Sequence, residues 1–417
     1  VLNNNIQFSA NRSKIYLCSL FMGINYQVPA KISKYHLHTG FLMRMVCAIV
    51  CSMLLFISSC DTPEKVMKST DIEYKKAKAI SWYNKKEYYK CIPVLEELIG
   101  LLKGRQSVEE LYYMYANANY KQGDYLISAY HFKHFYDEYP NNEKAEECLY
   151  MYAKSYEQLS PKPVLDQANT MKALEAFQLF INAYPQSKYM VQVNDGVKSL
   201  RRKLELKALN AADLYYKTSN FKAAATTYAN VLKSYPDIAE SEMITYMIIK
   251  SNFDFAKNSI PARKAERFDN VIKSYGDFKD KFHNSEYLDD ANKLQIESHY
   301  LSPLGAYEWA ESGPLYFREI YFNQFFDEAN KHLPSITDAK QALEINAKIE
   351  KGYFLVVKGN YQLSEEKKKE QKVQPLEETV KTYYNFVDKF PKSRYSKEAE
   401  KIFNNASEQL KKLKNNG

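Results

Sequence analysis

The chain has 417 residues, of which 45% are hydrophobic; this excludes a disordered polymer and allows two or three average domains or one extended repeat array. Its 36 tyrosines against 12 glycines favour helices packed through amphipathic rings over a sheet protein with many tight turns. The formal charge of +8 is partly a property of residues 1–59, which carry Arg12, Lys14, Lys31, Lys34 and Arg44 and no acid; the rest keeps a net of only +3, which argues against a nucleic-acid partner.

The first predicted element is a processing signal. Met43 and Arg44 precede the largely apolar run MVCAIVCSMLLFI, which is of signal-peptide length and shorter than the roughly 20 residues of a spanning helix. It ends in Ile57-Ser58-Ser59-Cys60, where small residues suit a peptidase site and the following cysteine resembles the lipobox of bacterial lipoproteins. This resemblance implies cleavage between Ser59 and Cys60 and acylation of the Cys60 sulfur. Residues 1–42 then read as upstream translated sequence, 43–59 as the signal and 60–70 as a lipid tether. Cys18, Cys47 and Cys51 lie ahead of the cleavage point, and the remaining Cys60, Cys91 and Cys148 form neither a disulfide framework nor a zinc pattern.

Beyond residue 70 a helical signature recurs, with large apolar residues at i, i+3 and i+7 and proline at i+8. The full copies are Phe132, Phe135, Tyr139, Pro140; Phe177, Phe180, Tyr184, Pro185; Tyr228, Val231, Tyr235, Pro236; and Tyr383, Phe386, Phe390, Pro391. Leu95, Leu98, Leu102 with Lys103, and Tyr275, Phe278, Phe282 with His283, are degenerate copies. Proline lacks the N–H that continues a helix and disfavours helical geometry in the residue before it, so the Tyr or Phe ahead of it ends each helix. KQGDY and KTSNF lie upstream of two copies, where Gly123 and Asn220 suit the turn between antiparallel helices.

Each unit is thus a helical hairpin, and successive signatures are spaced by 37, 45, 51 and 47 residues before a gap of 108. The pattern predicts an all-α fold, a tetratricopeptide-like α-solenoid in which stacked hairpins form a superhelix with a concave binding surface. The segments beginning at 264 and 372 share residues at identical offsets, so the tail holds a further copy. Between them, GAYEWAESGPLYFREIYFNQFFDEANKHL reads as a divergent hairpin or an insertion packed on the array.

Chemistry-bearing patterns are sparse. No phosphate-cradling glycine loop, H-E-x-x-H or nucleophile elbow occurs, so neither catalytic residues, metal ligands nor a cofactor are assigned. Ser364 and Lys367 form an S-x-x-K inside a solvated charge run, and His131 and His134 share a helix without a third ligand. Lys198, Arg201, Arg202, Lys203 and Lys207 lie on one helix, either as a solvated face or as a partner-docking patch.

The stretches LDQANTMKALEAFQLFINAYPQSKY and LRRKLELKALNAADLYYKTSNFKAAATTYANVLKSYP resemble the outer-membrane assembly lipoproteins of the BamD, or YfiO, family. The resemblance covers roughly residues 71–300 and includes the extended loop SPKPVLDQANT; residues 301–417 form a C-terminal helical extension beyond it. It implies a non-enzymatic periplasmic scaffold anchored by Cys60 to the outer membrane. Such a scaffold docks on a BamA-type barrel insertase, works with other assembly lipoproteins and helps deliver unfolded outer-membrane proteins. In that family the C-terminal repeats face the insertase, which by position would include Leu200 to Pro236. Asp61 departs from this picture, because in enteric bacteria an aspartate after the lipidated cysteine favours the inner membrane. Two rival readings are a SusD-like nutrient-binding surface lipoprotein, against which the presence of only Trp82 and Trp309 counts, and a repeat lipoprotein coordinating division or peptidoglycan synthesis.

Overall fold

The computed structural model describes residues 62–104 and 108–415; the signal segment, Ser59 and Cys60 lie outside them. The described residues contain sixteen α-helices and three short 3-10 segments. They divide after Leu98 into two compact units.

The first unit holds α1 (Pro63–Met67), α2 (Ile72–Asn84) and most of α3 (Tyr88–Leu101). Pro63 opens α1 where a missing N–H costs nothing, and the Asp71 side chain caps α2 by accepting from the Tyr74 N–H at 3.1 Å. Ala79, Trp82, Cys91, Val94, Leu95 and Leu98 are buried, and the buried Lys75 ammonium pairs with Glu97 at 2.7 Å.

The second unit continues with α4 (Val108–Gln122), α5 (Tyr125–Glu138), α6 (Ala145–Leu159), α7 (Ala168–Ala183), α8 (Met190–Lys217) and α9 (Phe221–Ser234). Then come α10 (Ser241–Lys257), α11 (Pro261–Lys281), α12 (Leu288–Ser312), α13 (Arg318–His332), α14 (Ala339–Glu366), α15 (Val373–Lys389) and α16 (Ser396–Asn415). From α4 onward each helix packs on the next in the chain, and α6, α10, α12 and α14 also meet the helix two places on. Contacts that run to near neighbours in sequence are those of stacked hairpins.

The recurring signature fixes how each hairpin closes. Phe132, Phe135, Phe177, Phe180, Tyr228, Val231 and Phe386 are buried, whereas Tyr139, Tyr184, Tyr235, Tyr383 and Phe390 are half-buried and Pro140, Pro185, Pro236 and Pro391 exposed. Tyr139, Tyr184, Tyr235 and Phe390 terminate their helices with φ between −125° and −134° and ψ between 57° and 72°. Phe282 does the same at φ −126° although His283 follows it, so the aromatic terminus does not require the proline. The turn ahead of α9 differs in detail from the sequence reading. Gly123 has φ +95°, but its counterpart with positive φ is Ser219, at +61°, while Asn220 is the N-cap residue at φ −83°.

The gap of 108 residues contains a divergent hairpin, α12 and α13. Phe326, Ala329, Leu333 and Pro334 occupy the i, i+3, i+7 and i+8 places, dividing the gap into steps of 51 and 57 residues. Alanine at i+3 conceals this copy from an aromatic pattern. The volume is made up by neighbouring rings, since Phe322, Phe325 and Tyr307 are buried in the same cluster.

Candidate interaction surfaces

A shared corner follows α5, α7, α11 and α15. The residue three places after the terminal aromatic is Asn142, Ser187, Ser285 or Ser393, and its N–H donates to the aromatic carbonyl at 3.0 to 3.3 Å. Its side-chain oxygen accepts the N–H two residues on, from Lys144, Tyr189, Tyr287 or Tyr395, at 2.9 to 3.1 Å. Three of these side chains also reach back one hairpin and donate to a carboxylate at 2.5 Å: Asn142 to Glu109, Ser187 to Glu146 and Ser393 to Glu350. At three of the corners the ring that follows stacks on an aromatic of the preceding hairpin, which at two of them lies four residues beyond that carboxylate. Tyr189 lies on Tyr150 with centroids 4.4 Å apart, Tyr395 on Phe354 at 4.7 Å and Tyr287 on Tyr246 at 5.1 Å. At the first corner Lys144 takes the ring's place, its ammonium 3.9 Å from the Tyr113 centroid. At the Ser187 and Ser393 corners hydrogen bond and stack together join one hairpin to the next.

The corner after α9 explains the basic cluster. Here Ile238 replaces the serine, and it is buried. Glu205, which precedes Ser219 by the same fourteen residues that separate Glu109 from Gly123, therefore has no corner hydroxyl to accept from. Instead it binds Arg201 at 3.3 Å and Arg202 at 3.2 Å. These guanidinium groups extend to the corner itself, Arg201 to Asp237 and Arg202 to both oxygens of Glu240, one of them at 2.9 Å. The Arg202 hydrogen bonds hold the Glu240 carboxyl below its usual range.

Lys203 and Lys207 tie down the extended loop that precedes α7. The Lys203 ammonium donates to the Ser160 carbonyl at 3.0 Å and to its hydroxyl at 2.9 Å, and Lys207 donates to the Leu165 carbonyl at 2.6 Å. Gln167, buried in the loop, donates to the carbonyls of Lys162 and Leu165. Ser160 is the C-cap of α6, where a lysine ammonium satisfies a carbonyl at the negative end of the helix. Four of the five basic residues thus serve intramolecular joints, and Lys198 is exposed.

The other sequence candidates are also engaged. Ser364 is buried and donates to the Tyr361 carbonyl at 2.6 Å, while Lys367 is the C-cap of α14, so the S-x-x-K pattern assembles no nucleophile. His131 Nδ1 lies 2.7 Å from the Tyr112 hydroxyl, and its imidazole is pushed down to about 4 by burial and by His134. A neutral His131 accepting from Tyr112 is a packing group rather than a ligand. Cys91 and Cys148 are buried free thiols; burial pushes Cys91 up to about 12 and Cys148 higher, so neither is a reactive thiolate.

Two open clefts remain on the second unit between α5 and α10. One, of about 430 Å³, is walled by Leu126, Tyr130, Lys133, Tyr152 and Tyr156, with Leu126 and Tyr130 more than half exposed. The other, of about 620 Å³, is lined by Tyr215, Asn220, Phe221, Thr226, Thr227 and Phe255. Apolar walls edged by isolated charges suit a polypeptide segment better than a small polar metabolite.

Residues 68–267, which span both clefts and the loop, match the family model described as YfiO, outer membrane lipoprotein. The chain thus carries a YfiO-like segment. The matched segment covers 200 of its 417 residues, so α12 to α16 lie beyond it. No curated protein matches the chain. Among solved structures it is similar to the TPR2AB-domain:pHSP90 complex of yeast Sti1, at 12% identity and a TM-score of 0.29, covering 67% of this chain and 98% of that one. It is also similar to the TPR domain of P58(IPK), at 14% identity and a TM-score of 0.27, covering 68% and 65%. Within the described residues no helix is long and apolar enough to cross a membrane.

Proposed function

We propose that the chain is a lipid-anchored periplasmic scaffold of outer-membrane protein assembly, docking on a BamA-type barrel insertase and helping to deliver unfolded β-barrel proteins to it. The observation that carries this reading is the YfiO match over residues 68–267, beginning eight residues after Cys60 in its lipobox-like setting. The half-exposed aromatic cleft between α5 and α6 supports it, since an extended client presents alternating apolar and polar groups to such a wall. Two or three acyl chains at about 0.8 kcal/mol per buried CH2 would hold the scaffold at a membrane without a spanning helix. The corners supply what a scaffold needs, a fixed relation between successive hairpins. A sugar-stacking role would draw on tryptophans, and Trp82 is buried.

The anchor is tested by metabolic labelling with a fatty-acid analogue. Cys60→Ala should lose the label and release the protein from the membrane fraction; label retained on the variant would contradict the anchor.

A further inference from the structure

Outside the YfiO segment, three helices bring together side chains whose chemistry the proposed scaffold does not use. Asp269 comes from α11, Glu328 and His332 from α13, and their three nearest ligand-type atoms lie within 4.8 Å of one another. His332 is 2% exposed, and its Nε2 faces Asp269 Oδ1 at 3.0 Å and Glu328 Oε1 at 2.9 Å. Two carboxylate oxygens converging on one imidazole nitrogen require a positive centre between them, a proton or a metal ion.

The surroundings match what a metal ligand set needs. The other ring nitrogen of His332 lies 2.8 Å from Nδ1 of His299 on α12, so the ring is held from behind. The Ser302 hydroxyl donates to Glu328 Oε1 at 3.0 Å and fixes that carboxylate. Glu328 also lines a cleft of about 230 Å³ with Trp309, Tyr321 and Gln324, which supplies an access route from solvent. Bonds of about 2.0–2.2 Å from zinc to imidazole nitrogen and carboxylate oxygen, at angles near 90–110°, place ligand atoms roughly 3 Å apart or slightly more. A lone imidazole beside carboxylates selects a transition-metal dication over calcium or magnesium.

One group competes for the position. The Lys331 ammonium lies 2.5 Å from Asp269 Oδ2 and 3.3 Å from Glu328 Oε1, neutralising the same carboxylates. We infer that Asp269, Glu328 and His332 form a zinc-class divalent metal site, with His299 as a positioning residue and Lys331 as the cation that a bound metal displaces. Such an ion would pin α11 to α13 in the part of the chain that the family match leaves out.

The test is zinc titration of the full chain by calorimetry with chelator competition, for the parent, His332→Gln, Lys331→Met and His299→Gln, each checked for native helicity by circular dichroism. Because other cysteines and histidines can hold zinc, the readout is the difference between chains. The parent should bind one more zinc ion than His332→Gln. Lys331→Met should retain that ion and bind it at least tenfold more tightly, and His299→Gln should weaken it about 10- to 100-fold. Asp269→Asn provides the same comparison if His332→Gln fails to fold. Equal zinc binding by the parent and the ligand variants would overturn the site. So would loss of the extra ion in a folded Lys331→Met, since an ion-pair network alone is weakened by that change and a metal site is not.

Discussion

At the residue scale the structure turns on single polar atoms that close each corner. Ser187 donates to Glu146 from the preceding hairpin and accepts from the Tyr189 N–H, so Ser187→Ala removes a charge-assisted hydrogen bond and leaves a half-buried carboxylate with one partner fewer. The expected loss is about 1–3 kcal/mol of local stability. Native-state hydrogen exchange should show it as faster opening of the amides in the corner after α7 and at the start of α6, with distant hairpins unchanged. His131 makes a second residue-scale prediction. Its folded value near 4 lies below the ordinary 6.5, so between those limits the unfolded chain binds more protons, and stability rises with pH and falls as pH drops from about 6.5 toward 4. The slope is below the maximum of about 1.4 kcal/mol per pH unit, because the imidazole is only partly buried. Urea unfolding at pH 7 and pH 5 should differ more for the parent than for His131→Gln, which keeps an acceptor for the Tyr112 hydroxyl.

At the element scale the same hairpin turn is built with three different residues, Lys86, Gly123 and Ser219. Gly123 and Ser219 both adopt left-handed backbone between antiparallel helices, and glycine alone does so without a Cβ penalty. Gly123→Ala should therefore destabilise its hairpin by about 1–2 kcal/mol, while Ser219→Gly should stabilise its own by up to about 1 kcal/mol. Opposite shifts of the thermal midpoint would bear this out; shifts of the same sign would not. The helices, their aromatic cores and their ends were legible in the sequence, because a period of 3.6 and a proline stop are local signals. The corners were not. Asn142, Ser187 and Ser393 find their carboxylates 33 to 43 residues back, a spacing that varies with the length of the intervening hairpin. For the same reason the basic run on α8 read as a surface. Nothing local distinguishes Arg202 from a solvated arginine until Glu240 arrives 38 residues later. Phe326 to Pro334 escaped because alanine stands where the other copies carry a ring, leucine or valine.

At the scale of the whole molecule, the chain joins a YfiO segment to about 150 further residues built on the same hairpin plan. Corners recur at Phe282 and Phe390, so the extension continues the construction of the family segment. The cluster of Asp269, Glu328 and His332 lies there, assembled from residues up to 63 positions apart, and no motif spacing announces it. The proposed anchor rests on the opposite kind of signal, since a peptidase and an acyltransferase read a contiguous string of residues. Repeat arrays open locally, so variants at one corner should spare the others, and loss of partner binding can be mapped hairpin by hairpin. The central claim, a scaffold serving a barrel insertase, is tested most directly by affinity purification of the full chain from detergent-solubilised membranes. The account predicts co-purification of a BamA-type barrel protein; a clean preparation that brings down only transporters or division proteins would contradict it.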